Sequence, residues 1–520
     1  MKFVRDPDIS VKIDQMKRRV RWQDSAIKKK AIAQTKLVID DRDTDNPNFS
    51  FLIIGDSGCG SHLKHHPQRK IAEMMLQQES SRFIIHTGDV VYQVGSREYY
   101  QQNFIDPYQE FLVGGENYKQ LKYDSLTFKL PFFLVPGNHD YYDLPLISGI
   151  LAQATWLPRR LLRGRVDLDV GWHGSDQGDA YARAFLDYLA NIKDNARLKR
   201  HLDANYTAKH RGDSCLNYQS GKFTRLPNRY YTFHYGGIDF FALDSNTFNQ
   251  PFSIPDTAAG KIQRVKLQAR QRELNARVQE IQEKLDRLNA NNPEDAEQID
   301  DYYAKLEHTS ESQRDIKKQL EQNQDVDITD WEQLAWLKDS LVASWQDEAV
   351  RGRIIFFHHP PYVTETTKWN QGQTLAVRNR LRQVFDDAAQ EIGALPEGRS
   401  LVDLVLSGHA HCLEHLYTKD TGHADSHTNW IVCGGSGHSL RRQRSEGTVL
   451  YQDADLNSDP IGQSHLYVGR NGSRKNRKRP YSFLRIDVQA GHKPKFTINP
   501  YIAEWHQRQW NEYTVDSFVI

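Results

Sequence analysis

From Phe49 onward the chain carries short apolar runs, each stopping at Gly, Asp, Asn or His: FSFLIIGD, RFIIHTGD, PFFLVPGNHD, IDFFALDSN, RIIFFHHP and LVDLVLSGHAH. These runs do not alternate apolar with polar residues, which is the pattern of strands buried on both faces. Between the first two, PQRKIAEMMLQQES puts Ile71, Met74, Met75 and Gln78 at helical spacing. The strand–helix–strand rhythm predicts an α/β sandwich.

The rhythm has interruptions. Residues 1–48 are charged and helix-prone, with the basic stretch MKRRVRWQDSAIKKK. They predict a solvated basic helical extension, with contact to anionic lipid or nucleic acid as the sharper alternative. Residues 141–229 form a cap-like insertion. Its apolar segment LPLISGILAQATWLPRRLLRGR is expected to cap the working face rather than lie on a membrane, and YARAFLDYLANIKDNARLKRHL to form an amphipathic helix.

The clearest insertion is 258–323. Leu267, Leu274, Val278, Ile281, Leu285 and Leu288 follow steps of three and four, with a gap at Gln271. NANNPED breaks the helix, and Ile299, Tyr302, Leu306, Ile316 and Leu320 resume the rhythm. This reads as an antiparallel helical hairpin of coiled-coil type with solvated Glu, Lys, Arg and Gln flanks. Two uses stay open: a structural spacer, or a platform for a homodimer or protein partner. DITDWEQLAWLKDSLV then reads as a capped amphipathic helix. Two alternating strands, YSFLRIDV and KPKFTINPY, place 451–520 as the completion of a domain made of 49–257 and 324–450.

Composition narrows the picture. With 38% apolar residues among 520, a sizeable core is affordable, and a net charge of +1 argues against wholesale nucleic-acid binding while leaving a local basic patch open. The four cysteines form no C-x-x-C pair and read as free thiols of a reducing compartment. MKFVRDPDIS lacks the apolar core of a secretory signal, and no run approaches the ~18 apolar residues of a membrane span. The expectation is a cytoplasmic protein.

The strand endings carry metal-ligand types: Asp56; Asp89 in GDVVY; Asn138 and His139 in GNHD; His358 in HHPP; His409 and His411 in GHAH. Side chains leaving the carboxyl ends of several strands converge. Each motif alone is weak; the ordered set, each behind an apolar run, is a strong joint signal.

The set resembles the calcineurin-like metallophosphoesterase superfamily over roughly 49–140, 230–250 and 325–440. The resemblance implies two mixed β-sheets flanked by helices, here with the helical hairpin inserted. One departure is informative. Most of that superfamily reads Asp-x-His in the first motif, whereas this chain has Asp56-Ser57-Gly58 and carries Tyr92 three residues after Asp89. The paired change is similar to the purple acid phosphatase branch, where such a tyrosine binds iron as a hard phenolate.

Carried over, the first ion takes Asp56, Asp89, Tyr92 and His411, and the second takes Asp89, Asn138, His358 and His409. Three anions in the first site suit Fe(III); the more neutral second site suits Fe(II), Zn(II) or Mn(II). The implied reaction is hydrolysis of a phosphorylated small molecule by in-line attack of a metal-bound hydroxide. His139 is the expected general acid, Asp140 its orienting partner, and His359 either a substrate contact or a structural residue. Cys59 and Cys412 are read as packing, and His438 in CGGSGHS as a candidate contact near the site. A phosphomonoesterase is favoured. The alternatives are a phosphodiesterase for cyclic nucleotides, nucleic acid or phospholipid head groups, and a non-catalytic scaffold that works through the hairpin.

Overall fold

The computed structural model describes residues 4–62, 65–144, 174–289, 292–322, 328–396, 398–452, 459–472 and 476–520. Most of the apolar segment expected to cap the working face lies outside them. In chain order the strands are β1 (Ile32–Ile39), β2 (Phe49–Ile54), β3 (Ser81–His86), β4 (Phe132–Leu134), β5 (Ala208–His210), β6 (Asp213–Tyr218), β7 (Tyr231–Tyr235), β8 (Ile238–Ala242), β9 (Gly352–Phe356), β10 (Leu404–Ser407), β11 (Leu413–Thr418), β12 (Asn429–Cys433), β13 (Val449–Tyr451), β14 (Pro460–Val468), β15 (Arg479–Gln489), β16 (Lys495–His506), β17 (Gln509–Thr514) and β18 (Phe518–Val519).

They build two mixed sheets. One runs β17-β16-β15-β2-β3-β4, with β18 beside β16; the other runs β13-β14-β11-β12-β10-β9-β8-β7-β1-β6-β5. β2, β3 and β4 are parallel, as are β8, β9, β10 and β12. β15 closes the open flank of β2, antiparallel over Phe49–Ile53.

The two-residue strand period sorts the side chains. Phe240, Ile354, Phe356, Leu404 and Leu406 face the other sheet, while Phe241, Ile355, Phe357 and Val405 face helices Trp331–Gln346 and Gly372–Ile392. Between the sheets, Phe51 and Phe83 meet Phe240 edge-on at 5.5 and 5.4 Å. Such pairs contribute ~0.5–1.5 kcal/mol beyond their buried area. The strands read as unalternating because both faces are covered.

Three segments depart from the sequence expectation. The N-terminal stretch is no free helical extension. Met16 and Val20 are fully buried, Ile32–Ile39 is a strand between β6 and β7, and Asp6 accepts from Lys12 Nζ and Lys318 Nζ at 2.7 and 2.5 Å. Residues 181–202 are broken into separate helical pieces, Asp179–Phe185, Leu189–Asn191 and Asn195–Asn205. At the break Asp187 turns inward: its N–H donates to Leu226 O, and its carboxylate takes His201 Nε2 and Tyr206 Oη at 2.9 Å.

The hairpin is present as Ala258–Leu285 and Pro293–Glu321, antiparallel, with Arg264 reaching Leu320 O and Gln313 reaching Asn275. Its flanks are not all solvated. On the second helix Asp301, Thr309, Glu311 and Asp315 are buried, and Asp315 accepts from the backbone N–H groups of Gly372 and Gln373 at 3.0 and 3.1 Å. Among the described residues, no helix is long and apolar enough to cross a membrane.

Candidate metal centre

The donors expected from sequence leave the carboxyl ends of β2 (Asp56), β3 (Asp89), β4 (Asn138), β9 (His358) and β10 (His409, His411), and the fold brings all seven together, with Tyr92 on the loop after Asp89. Each is at most 4% exposed. Asp56, Asp89 and His409 hold left-handed backbone, φ 53°, 54° and 65°. Non-glycine residues persist there only where the surroundings over-determine them, a cost of ~1–3 kcal/mol each.

Two groups of donors share one carboxylate. Tyr92 Oη lies 2.8 Å from Asp89 Oδ2, 3.1 Å from Asp56 Oδ1 and 3.2 Å from His411 Nε2. His358 Nε2 lies 3.0 Å from Asn138 Oδ1, 3.2 Å from His409 Nδ1 and 3.4 Å from the same Asp89 Oδ2. The outer carboxylate oxygens are fixed by backbone: His409 N donates to Asp56 Oδ2 at 2.8 Å and His139 N to Asp89 Oδ1 at 2.9 Å.

Gly58 answers why the first motif lacks its histidine. A Cβ built there would stand 1.9 Å from Val90 O and 2.3 Å from Val90 C. Tyr92 N donates to Gly58 O at 2.8 Å. The GDVVY loop is thus pressed against position 58, filling the room a side chain would need and delivering the phenol instead. Gly137 plays a similar part, since its Cβ would meet Asp89 Oδ1 at 2.1 Å.

The chemistry of this donor set fits a cation. His358 Nδ1 donates to Thr87 O at 2.9 Å and His411 Nδ1 to Ser439 O at 3.1 Å, which turns each Nε2 inward as a lone pair. For His358 that lone pair faces the oxygens of Asn138 and Asp89. Burial pushes Asp56 up to about 8, with Asp89 adding to the rise against His358. Burial would lower His358, but Asp89 and Asp56 raise it to about 9. The His358 rise reflects the two buried carboxylates beside it, charge that a bound cation would offset.

The accessory residues sort differently from expectation. His139 Nδ1 donates to Gln93 O at 2.5 Å, its ring lies 4.3 Å from that of Tyr92, and its Nε2 is 3.9 Å from Glu311 Oε1. Asp140 therefore does not orient His139. Its carboxylate accepts from Gly137 N at 2.8 Å, Val90 N at 3.1 Å and Val91 N at 3.2 Å, stitching the loops that carry Asn138 and Asp89. His359 is fully buried, with Nδ1 at 2.8 Å from Ser245 Oγ, Nε2 at 3.2 Å from Asn249 Nδ2 and its ring 4.5 Å from that of His409. Both ring nitrogens have a neighbour within hydrogen-bond distance, and His358, His359 and His409 each offer a ring nitrogen within 4.8 Å of the others, a group that could hold an ion. The His438 ring lies tilted against those of Tyr92 and His411, with centroids at 4.1 and 4.5 Å.

Sequence reasoning missed the roof. Glu311 of the second hairpin helix is buried over His139, and its other oxygen accepts from buried Lys368 at 2.6 Å. Burial opposes the Glu311 charge, and Lys368 overcomes it, holding the carboxyl well below its usual range. Gln373 reaches His409 Nε2 at 3.0 Å. The signal was present: Asp301, Ala304, His308, Glu311 and Asp315 run at steps of three and four, a second stripe beside the apolar seam.

Residues 49–413 match the family model for calcineurin-like phosphoesterase. No curated protein matches the chain. Among solved structures, similarity is found to GAP50, the anchor in the inner membrane complex of Plasmodium (12% identity, 90% of this chain and 89% of that chain, TM-score 0.34). It is also found to the purple acid phosphatase PPD1 from yellow lupin seeds (12%, 91% and 54%, TM-score 0.41) and to PhoD (12%, 92% and 70%, TM-score 0.41). The chain spans about half the length of the lupin phosphatase chain. At such identities and TM-scores, the family match is the finding on which function rests.

Proposed function

Since the chain belongs to the calcineurin-like phosphoesterase family and is thereby a metal-dependent phosphoesterase, we propose that it hydrolyses phosphate monoesters at a two-metal centre of purple acid phosphatase type. Asp56, Asp89, Tyr92 and His411 would hold the first ion, and Asp89, Asn138, His358 and His409 the second. Three anionic donors favour Fe(III) in the first site; one shared anion favours Fe(II), Zn(II) or Mn(II) in the second. When bound, such ions neutralise phosphoryl oxygens and supply activated water near neutral pH.

The observation that carries this reading is the Tyr92 hydroxyl within 3.2 Å of Asp56, Asp89 and His411, beside a Gly58 that has no room for a histidine. The protein's own groups do the rest. Gln93 O fixes the His139 ring so that Nε2 carries the exchangeable proton toward the leaving oxygen, and Glu311 favours the charged imidazole that must give it up. Help of this kind contributes ~10²–10⁴-fold. Gln373 contacts His409 and Lys368 contacts Glu311 beside the pocket, a buried setting in which charge interactions are stronger than in bulk water.

Elemental analysis of the metal-loaded protein with a paired assay on p-nitrophenyl phosphate and bis(p-nitrophenyl) phosphate tests the proposal. Two ions per chain and faster turnover of the monoester are expected, both lost in Asp89→Asn. Faster turnover of the diester would overturn the monoesterase reading, and full metal content in Asp89→Asn would overturn the shared-ligand reading.

A further inference from the structure

The second hairpin helix borders another feature. One turn before Glu311, the same face borders a cavity of about 360 Å³ between the hairpin and residues 440–442, Arg470 and Arg477. That volume falls within the ~300–1,000 Å³ of small-molecule sites. Its walls carry Arg277, Lys305, Arg441, Arg442, Arg470 and Arg477.

Part of this cationic wall is organised by one buried acid. Asp301 accepts from Arg477 at 2.5 Å, Arg470 at 2.6 Å and Arg479 at 3.3 Å. Asp301 thus fixes two of the wall's arginines, Arg470 and Arg477, together with Arg479, while Arg442 donates to Gly472 O. The cost of the crowding is visible: burial together with Arg470 and Arg277 lowers Lys305, and burial with three neighbouring arginines lowers Arg470 against the pull of Asp301. Planar guanidinium forks held this way match phosphate oxygens.

The cavity also adjoins the metal centre. Arg441 N donates to His411 O at 2.9 Å, and His411 Nδ1 donates to Ser439 O, so the wall segment is the one that orients a metal-ligand histidine. His308, which lines the cavity, and Glu311, which roofs the centre, are neighbours one turn apart.

We propose that this cavity binds a phosphate-rich anion, either a second phosphate group of the substrate or a free polyphosphate. The first of these rests on the phosphoesterase reading of the neighbouring centre; the anion site itself does not.

The test uses the metal-loaded full chain and the variant Arg277→Ala/Arg442→Ala, which spares the arginines that hold Asp301. Tripolyphosphate is expected to raise the thermal unfolding temperature of the wild type, and the variant to lose at least about half of that shift. An equal shift in both proteins overturns the proposal. Should the double variant not fold, Arg277→Ala alone, on an exposed helix flank, carries the same comparison.

Kinetics separate the two sources. A KM for fructose 1,6-bisphosphate raised roughly ten-fold in the variant, with kcat and the KM for phenyl phosphate unchanged, assigns the cavity to the substrate's second phosphate. Unchanged KM values with a lost tripolyphosphate shift assign it to a free polyphosphate. A variant-sensitive shift in a protein that turns over no phosphoester removes the proposed function and keeps the anion site.

Discussion

Replacing Gly58 by alanine is the sharpest test of how the centre is built. The new Cβ would sit 1.9 Å from Val90 O and 2.7 Å from Val91 Cα, where ordinary contact begins near 3.4 Å. The overlap is with backbone on a loop pinned by the Tyr92 N to Gly58 O bond, so no rotamer change relieves it. Overpacking of a tight interior costs ~1–3 kcal/mol, occasionally more, and the upper end, about 3 kcal/mol, applies where only backbone can yield. Gly212→Ala supplies the control. That glycine has φ +85° and nothing within 4 Å, so only backbone strain of ~1–2 kcal/mol enters. With a urea slope near ~3 kcal/mol/M, expected of a large chain, Gly58→Ala lowers the unfolding midpoint by about 1 M and the control by roughly a third to two thirds of that. Equilibrium urea unfolding of the metal-loaded proteins reads both, and metal analysis reads the displacement of Tyr92. A Gly58→Ala protein that unfolds at the wild-type midpoint refutes the account, as does a Gly58→His protein that is as stable as the wild type.

Other outcomes follow from the same geometry. His139→Ala is expected to lower turnover ~10²–10⁴-fold with metal content unchanged; a wild-type rate removes its acid role. Tyr92→Phe leaves the packing but removes the hydroxyl from Asp56, Asp89 and His411, so visible absorption of the iron-loaded protein is expected to vanish, and a retained band excludes the phenolate. Asp239 is buried, which alone would raise it, but His234 and Arg211 bring it down to about 2. Its contribution, about 2 kcal/mol, is present above pH ~4 and is lost as pH falls toward 2. Asp239→Asn should therefore flatten the acid limb of a stability–pH curve measured by denaturant midpoint; an unchanged limb assigns the acid loss elsewhere.

The strand endings were legible because each donor sits directly behind an apolar run, and the run itself places it at a carboxyl edge. Tyr92 was legible through the missing histidine beside it. The role of Asp140 was not, since a carboxylate next to His139 in sequence points to the imidazole, whereas the loop geometry turns it to three backbone N–H groups. The strand β1 was hidden by the charged context of KKKAIAQTKLVID. The docking of the hairpin was hidden for a different reason. Its apolar residues pair the two helices with each other, so the face that meets the body is polar, and Glu311 and Asp315 look like solvated flanks until Lys368 and the Gly372 and Gln373 amides are seen opposite them.

The placement of β15 has a consequence for biosynthesis. Every donor of the centre lies at or before His411 in the chain, yet β2, which ends two residues before Asp56, still has a bare hydrogen-bonding flank until residues 479–489 emerge to cover it. A nascent chain therefore exposes an apolar strand edge until those residues follow, the kind of surface that invites pairing between chains. Removing residues 479–489 is expected to send the protein into aggregates although every donor of the centre is kept.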